Sequence, residues 1–431
     1  MLRALVTLVA ALAAAAGHAA PSGAADWPTY HGDNARTGVA SSPALGQLSR
    51  DWSKKVDGNV YASPLIASGR VVVATENNSL YAFDGKGKQL WRRHIGTPVS
   101  AGSLPCGNID PSGITGTPAI DARSGTVYAV VFLRPFRHQL VAINLKNGKL
   151  RWRRSIDGKG MDPRVEQERG ALVISQGRVY VPWGGLFGDC GDFHGGITSR
   201  TLSGRGLRSY KTPAHEAGMW APAGLQSDSK GNIYGTTGNG DGNGHFGFES
   251  SVLRFTPTLR RSAFWAPRDW QALSAHDTDV GSLPPTLLNG GLVFQSGKNG
   301  IGYLLSSKLG GIGGEVFSAR VCGAAFGGTA YQAPLVYVPC TDGLAALRVQ
   351  GQRFSVAWRR TGFNAGPPIV AGGAVWTIDR DSGALHGYDA ATGRDKTSVD
   401  LGGAIGFPTP AAAGNLLVAP ARDSVAAYRG L

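Results

Sequence analysis

The sequence predicts an all-β protein, an eight-bladed β-propeller built from four-stranded antiparallel blades. Three observations support this prediction. Glycine accounts for 64 of 431 residues, about twice its usual share of about 7%, which indicates many tight turns between short strands. A unit of four short apolar stretches recurs eight times. The last unit stops one strand short, and the stretch LSRDWSKKV at residues 48–56 lies ahead of the first.

The first unit, residues 61–91, shows the pattern most clearly. Its four apolar stretches are SPLIA, RVVVAT, LYAFD and QLWRR, and the turns SG, ENNS and GKGK separate them. Short β-rich runs joined by Gly- and Asn-containing turns are typical of antiparallel hairpins. The unit therefore predicts one small twisted sheet, the blade of a propeller.

Seven further copies follow along the chain. They begin at GTPAIDARSG, GALVISQGRV, APAGLQSDSK, SLPPTLLNGG, GTAYQAPLVY, GPPIVAGGAV and FPTPAAAGNL. A repeated unit of this length predicts a propeller. The eighth copy lacks a fourth strand, so residues 48–56 are predicted to supply it and to close the ring.

Three of the units end in Trp-Arg-Arg, at residues 91–93, 152–154 and 358–360. The tryptophan is predicted to pack over the neighbouring blade, with its indole N–H bonded to a carbonyl. The arginines then lie on an exposed edge strand, where charge opposes pairing with other molecules. The alternative is that the six arginines form an anion-binding belt.

The N-terminus predicts export. Arg3 precedes the apolar stretch 4–16, and small residues follow around a cleavage point between residues 19 and 25. This pattern is typical of a signal peptide; a membrane anchor is the alternative. We therefore expect residues 1–25 to be a signal peptide and short leader, and residues 26–431 to form one propeller domain. The mature chain is expected to be monomeric, secreted or periplasmic, without a transmembrane segment.

The four cysteines are consistent with an oxidising compartment. Three pairings are open, and we favour Cys322 with Cys340 and Cys106 with Cys190. Unpaired buried thiols are the alternative. The formal net charge is +14, but the basic residues are spread along the chain without a run of five. A basic surface on an exported protein explains this distribution better than a nucleic-acid partner.

Several stretches resemble the repeat of the pyrroloquinoline quinone (PQQ)-like propellers. They are GRVVVATENNSLYAFD, HQLVAINLKNGKLRW and GALHGYDAATG, and DWPTYHGDNARTG at residues 26–38 is similar to the opening segment of that family. The resemblance covers nearly all of the mature chain and implies the fold. It leaves function open, because the family includes both cofactor-bearing dehydrogenases and non-enzymatic propellers that bind other proteins.

One candidate site is WGGLFGDCGDFHGG at residues 183–196. It places Asp189, Asp192 and His194 among glycines, and hard cations prefer such carboxylate oxygens. A structural hairpin tip held by a disulfide is the alternative. These three side chains are the first candidates for holding a cofactor.

The resemblance to the dehydrogenases implies further roles. Trp220 would be the floor under a flat quinone and Asn239 a calcium ligand, while Asp279, or failing that Asp277, would be the general base. In that chemistry Ca²⁺ polarises the quinone carbonyl, the aspartate takes the alcohol proton and hydride moves to the quinone. Plain blade packing for Trp220, and turn capping for the two aspartates, are the alternatives.

The chain departs from the dehydrogenase pattern in several features, and these departures favour a non-catalytic protein over an enzyme. The chain has no adjacent cysteine pair, no clear counterpart of the glutamate ligand and no haem motif. The sequence therefore favours a non-catalytic binding or scaffold protein without a cofactor, with a protein or glycan partner of the cell envelope or exterior. A PQQ- and Ca²⁺-dependent alcohol or sugar dehydrogenase is the alternative.

Overall fold

Eight small antiparallel sheets form a ring, the arrangement of an eight-bladed propeller, in the computed structural model. It describes residues 26–242 and 244–430, so the predicted signal peptide lies outside the described residues. Helix is confined there to Trp270–Ala275 and the 3-10 turns Ala101–Ser103 and Asn289–Gly291. No helix in the described part of the chain is long and apolar enough to cross a membrane.

The first four blades follow the predicted order, each from its innermost to its outermost strand. Blade 1 contains Leu65–Ala67, Arg70–Ala74, Ser79–Asp84 and Gln89–His94. Blade 2 contains Ala119–Asp121, Thr126–Leu133, Arg137–Asn144 and Leu150–Ser155. Blade 3 contains the split inner strand Glu166–Gln167 and Val173–Ser175, then Arg178–Gly185, Gly196–Thr201 and Arg208–Lys211. Blade 4 contains Gln226–Ser227, Ile233–Thr236, Val252–Phe255 and Arg261–Ala266, with Gly311–Ile312 added in parallel.

The other four blades complete the ring. Blade 5 contains Thr286–Leu288, Leu292–Gln295, Ile301–Ser306 and Phe317–Arg320. Blade 6 contains Ala330–Gln332, Leu335–Cys340, Gly343–Gln350 and Arg353–Thr361. Blade 7 contains Ile369–Ala371, Ala374–Ile378, Ala384–Asp389 and Asp395–Asp400. Blade 8 contains Ala411–Ala413, Leu416–Ala421, Ser424–Gly430 and the N-terminal strand Leu48–Lys55.

The two ends of the chain close the ring, as predicted. Leu48–Lys55 pairs antiparallel with Ser424–Gly430, with one irregularity between Arg50 and Trp52. Trp52 is buried in the core between blades 8 and 1, and its indole N–H donates to the Gly85 carbonyl at 3.3 Å. Closure therefore joins blade 8 to blade 1 through side-chain packing as well as through the strand ladder.

Burial explains the difference between inner and outer strands. Val72 of blade 1 and Val127 of blade 2 belong to one buried cluster, because neighbouring blades pack face to face. A strand covered on both faces reads as a continuous apolar run, as in Arg70–Ala74. The outermost strand Gln89–His94 buries Trp91 and leaves most of its other residues exposed, so it carries polar residues.

The tryptophans of the Trp-Arg-Arg repeats pack on glycines of the following blade. A Cβ added to Gly148 would lie 2.8 Å from the ring of Trp91, and one added to Gly393 would lie 2.6 Å from the ring of Trp358. The Trp91 indole N–H donates to the Leu145 carbonyl at 2.9 Å. The predicted packing over the neighbouring blade is confirmed, and a glycine in the receiving turn makes the close contact sterically allowed.

Several of the repeat arginines already have partners within the protein. Arg92 forms an ion pair with Asp57, Arg360 forms one with Asp395, and the Arg93 Nε donates to the Gly148 carbonyl at 2.8 Å. These contacts leave less free positive charge for the anion belt considered above. They are consistent with arginines that protect an edge strand.

An N-terminal segment, residues 26–47, fills one end of the central channel. It hydrogen-bonds to the innermost strands of several blades, at Ile66, Ile120, Ser227, Tyr331 and Val370. Arg36 is buried and donates to the carbonyls of Leu172 and Leu225 at 2.7 and 3.1 Å. The segment thereby ties the inner strands together.

Both predicted disulfides are present. Cys106 is bonded to Cys190, which joins the connection between blades 1 and 2 to a loop of blade 3. Cys322 is bonded to Cys340, which joins the connection between blades 5 and 6 to the second strand of blade 6. Two disulfides are consistent with a periplasmic or extracellular location.

Alanine at Gly148 tests the tryptophan–glycine contact. Both Gly148 and Gly125 of blade 2 have positive φ, at 68° and 58°, but a Cβ at Gly125 would meet nothing within 4 Å. We expect Gly125→Ala to cost about 1 kcal/mol from backbone strain. Gly148→Ala should cost roughly 1–3 kcal/mol more, because the methyl group collides with Trp91. Urea unfolding of both variants measures the difference, and equal losses would contradict the proposed role of the contact.

Candidate functional site

The connections of the blades divide the propeller into two faces. In a four-stranded antiparallel blade, the link between the second and third strands lies at the same end as the link to the next blade. We call this end the loop face, and the opposite end, which carries the other hairpin turns, the turn face. Segment 26–47 lies toward the turn face, since Asp26 accepts a hydrogen bond from the N–H of Ser68, in the first turn of blade 1. The loop face is therefore the more open end of the channel.

All the predicted site residues lie on the loop face, around blades 3 to 5. The loop within blade 3, the connection to blade 4, the loop within blade 4 and the connection to blade 5 carry them. They are Asp189, Asp192, His194, Trp220, Asn239, Asp277 and Asp279.

Lys298 organises one part of this region. Its ammonium group pairs with exposed Asp277 and with fully buried Asp279, the latter at 2.8 Å. It also lies 5.4 Å from the centre of the Trp220 ring. Burial raises the pKa of Asp279, an effect that Lys298 opposes. Lys298 was not among the residues predicted from the sequence, because a lysine in the turn SGKNG carries no signal that distinguishes it from an ordinary turn residue.

Glu216 was not among the residues predicted from the sequence, and it contacts one of them. The Asn239 side-chain amide donates to the Glu216 carboxylate at 3.0 Å. Burial raises the pKa of Glu216, and the charge of Asp189 raises it further. This pair could not be predicted from the sequence, because 23 positions separate the two residues and only the packing of blades 3 and 4 brings them together.

The structure divides the predicted cluster at residues 183–196. Asp189 belongs with the central group: desolvation raises its pKa, Lys298 opposes this, and Asp277 raises it again. Asp192 instead lies 3.5 Å from His194 and 3.7 Å from His215. Asp192 and His194 therefore form a separate group with His215.

Backbone strain is concentrated in the same loops. Six of the described residues other than glycine adopt positive φ there: Asp189, Glu216, Ala217, Phe248, Ser250 and Asp277. Such conformations cost about 1–3 kcal/mol each and tend to cluster at functional sites. The observation supports a functional role for the loop face near blades 3 to 5.

Aromatic rings surround the channel mouth on this face. Trp220 and Phe326 have ring centres 6.3 Å apart, and Phe326 stacks with Phe407 at 6.1 Å. Arg169 and Arg380 lie over the Phe407 ring at 5.0 and 4.2 Å. Between Arg169 and Phe407 is a small pocket with room for about one water molecule.

Several of the residues suggested for a quinone site contact Lys298 within the described part of the chain. Lys298 pairs with Asp279 and lies over Trp220, the two groups that would serve as base and floor. Among the described residues, one group of three Cys, His or acidic side chains has ligand atoms within 4.8 Å of one another: Cys322, Cys340 and Asp342. Its cysteines form a disulfide. The cofactor roles suggested by the resemblance stay predictions.

The architecture defines an eight-bladed β-propeller. A family model described as outer membrane protein assembly factor BamB matches residues 17–183. The chain is similar to the crystal structure of BamB from Moraxella catarrhalis, at 14% identity and a TM-score of 0.60, over 89% of this chain and 97% of that one. It is also similar to the computationally designed Ika8 protein, at 12% identity and a TM-score of 0.60, over 89% and 99%.

A comparison with curated proteins finds no match. At these identities the structural likeness shows the fold. Together with the family-model match, it confirms the resemblance to PQQ-like propellers that the repeat motifs predicted.

Two buried glutamates beside the channel predict a pH-dependent stability. Glu76 accepts hydrogen bonds from the Gly113 N–H and the Thr115 hydroxyl, and Glu168 accepts one from the Gly116 N–H. Burial raises the pKa of Glu76 from 4.5 to about 7, against those hydrogen bonds. Burial also raises the pKa of Glu168. Since the folded protein holds these protons more tightly than the unfolded chain, the contribution of Glu76 to stability is fully present below pH 4.5 and is lost as the pH rises through about 7.

Glu76→Gln should remove part of this dependence. A shift from 4.5 to about 7 corresponds to at most about 3 kcal/mol. We expect the variant to lose about 2–3 kcal/mol less stability than the wild type between pH 5 and pH 8, measured by urea unfolding. Asp381→Asn, at an exposed position, serves as the control. Parallel curves for wild type and Glu76→Gln would show that Glu76 does not titrate in this range.

Proposed function

We propose that this chain is an exported, non-catalytic binding protein that holds a partner of the cell envelope on its loop face. The observation that carries the proposal is Phe187. Its side chain is 67% exposed at the tip of the blade 3 loop, and the Cys106–Cys190 disulfide holds that loop against the connection between blades 1 and 2. An exposed aromatic side chain on a tethered loop suits binding better than packing.

The physical basis is the cost of association. A large apolar side chain gains free energy when a partner buries it, and aromatic anchors contribute much of the affinity of many interfaces. Ordering a flexible loop on binding costs free energy, and a disulfide that restricts the loop beforehand reduces that cost. Segment 26–47 fills the channel toward the turn face, which supports the loop face as the partner-binding side.

The comparisons support a protein as the partner class. The matching family model is described as an outer membrane protein assembly factor, and an assembly factor acts by binding other proteins. The two disulfides and the predicted signal peptide support export. A glycan is the second partner class, because the rings of Trp220, Phe326 and Phe407 at the mouth offer apolar faces to sugars.

Site-specific crosslinking tests the proposed face. A photoreactive residue would replace Phe187 on the loop face or Leu207 on the turn face, where Leu207 is 39% exposed. In intact cells of the native host, we expect one discrete protein adduct at position 187 and none at 207. Phe187→Ser should weaken binding of the protein so identified at least tenfold, while Leu207→Ser should not. Adducts of equal yield at both positions would contradict a partner surface on the loop face.

Titration with PQQ tests the dehydrogenase alternative. Because Lys298 pairs with Asp279 and lies over Trp220, we expect calorimetry to detect no PQQ binding at tens of micromolar, with or without Ca²⁺. Calcium-dependent binding that is lost in Trp220→Ala and Asn239→Ala would overturn the non-catalytic proposal. Such a result would justify a screen of alcohols with an artificial electron acceptor.

A further inference from the structure

Two arginines from opposite sides of the ring meet at the channel mouth. Arg169 belongs to the inner part of blade 3, and Arg380 lies in a loop of blade 7, four blades away. Nevertheless, both guanidinium groups lie over the ring of Phe407, at 5.0 and 4.2 Å. Since blades 3 and 7 are opposite one another in a ring of eight, the two side chains converge near the propeller axis.

Neither arginine forms an ion pair with an acidic side chain among the described residues, although Asp381 acts on Arg380 and Glu76 on Arg169 electrostatically. Arg380 donates to the Gly406 carbonyl at 3.0 Å and to the Asn364 side-chain carbonyl at 3.3 Å. Within the same described ranges, Arg169 has no hydrogen bond or ion pair, although a guanidinium has five N–H donors. Burial lowers the pKa of both groups, and the charge of Arg169 lowers that of Arg380 further. The protein thus holds two like charges together with their donors largely unused.

The nearest acid compensates this charge weakly. Glu76 interacts electrostatically with Arg169, but its carboxyl group accepts hydrogen bonds from Gly113 and Thr115 instead. Burial raises the pKa of Glu76 to about 7, so its negative charge is only partly present at neutral pH. Both arginines are half-buried, and a partly desolvated charge with a weak counter-ion is costly. An external anion would reduce that cost.

The shape of the pocket limits which anion can enter. Arg169 lines it together with the hydroxyl-bearing residues Tyr30, Tyr61, Thr115 and Thr117, and with the ring of Phe407. The free space accommodates about one water molecule. Neither anion fits wholly inside so small a space, but a planar carboxylate at its opening needs less depth than a tetrahedral phosphate. The two carboxylate oxygens match the planar fork of a guanidinium.

We propose that Arg169 and Arg380 bind a carboxylate group at the mouth of the channel. The carboxylate belongs either to a small organic acid or to an acidic side chain of a polypeptide. The second source deepens the proposed function and rests on it, whereas the first is independent of it. In both cases the carboxylate supplies the negative charge that the two arginines lack.

The experiment is a calorimetric titration of the purified protein at fixed ionic strength. The probes are glutarate, inorganic phosphate, a glycine-spaced peptide with three glutamates, and the same peptide with glutamines. We expect glutarate or the glutamate peptide to bind, with phosphate and the glutamine peptide at least tenfold weaker. Tighter binding of the glutamate peptide than of glutarate identifies a polypeptide as the source, and the reverse order identifies a small acid.

Variants show whether the binding belongs to this site. Arg169→Gln and Arg380→Gln should each weaken binding at least tenfold. Arg153→Gln changes an exposed arginine on the outer strand of blade 2 and should leave the affinity unchanged. If all three variants bind like the wild type, or no carboxylate binds, the proposal is wrong. If all three variants bind the probe equally more weakly than the wild type, the overall basic charge of the protein attracts the probe. That result would also contradict the proposed site.

Thermal unfolding without ligand gives a second, independent readout. Removal of one of two uncompensated like charges relieves repulsion, so Arg169→Gln and Arg380→Gln should unfold at the same temperature as the wild type or higher. A carboxylate that binds should raise the unfolding temperature of the wild type but not of these variants. A large loss of stability in both ligand-free variants would indicate structural arginines and count against the proposal.

Crosslinking at position 187 is independent of both arginines. It therefore distinguishes a failure of the carboxylate proposal from a failure of the proposed partner surface.

Discussion

Closure of the ring between the two chain ends is the interaction on which the rest of this structure depends. A single four-stranded sheet cannot bury both of its faces, and each blade is stable only because a neighbour covers it. The strand Leu48–Lys55 completes blade 8, and Trp52 extends the contact to Gly87 of blade 1, where a Cβ would lie 2.6 Å from its ring. The same tryptophan-on-glycine contact recurs from Trp91 to Gly148. The same type of contact therefore stabilises both the closure of the ring and an ordinary boundary between neighbouring blades.

The two faces of the ring have different physical properties. Toward the turn face, segment 26–47 fills the channel and satisfies the inner strands, with the buried Arg36 bonded to carbonyls of the chain. The loop face has longer connections, a disulfide-tethered loop with exposed Phe187, and several strained backbone positions. Tight turns leave little room for side chains that bind a partner, whereas longer loops on a rigid ring can present such side chains. This asymmetry is the reason that binding is assigned to the loop face.

Charge is distributed unevenly within the loop face. On the side of blades 4 and 5, Lys298 forms ion pairs with Asp277 and Asp279. Near the axis, Arg169 and Arg380 share the ring of Phe407 without an ion pair to an acid among the described residues. In the first arrangement the positive charge has acidic partners. The second leaves a charge imbalance that a ligand can correct, and it lies where the inner ends of the blades converge.

The sequence by itself determined the propeller, its eight units, the closing strand and the packing of the Trp-Arg-Arg tryptophans, and it favoured the cysteine pairing that the structure shows. The fold follows from local patterns: short apolar runs separated by glycine turns, in a unit whose eight copies can be counted along the chain. The four cysteines allow only three pairings. The sequence also selected seven residues that all lie on one face. Only the tertiary structure decided which of them meet. It separated Asp192 and His194 from Asp189, and it brought in Glu216 and Lys298. The tertiary structure also placed Arg169 and Arg380 over the same ring of Phe407. Contacts between distant blades depend on the geometry of the ring and not on spacing along the chain.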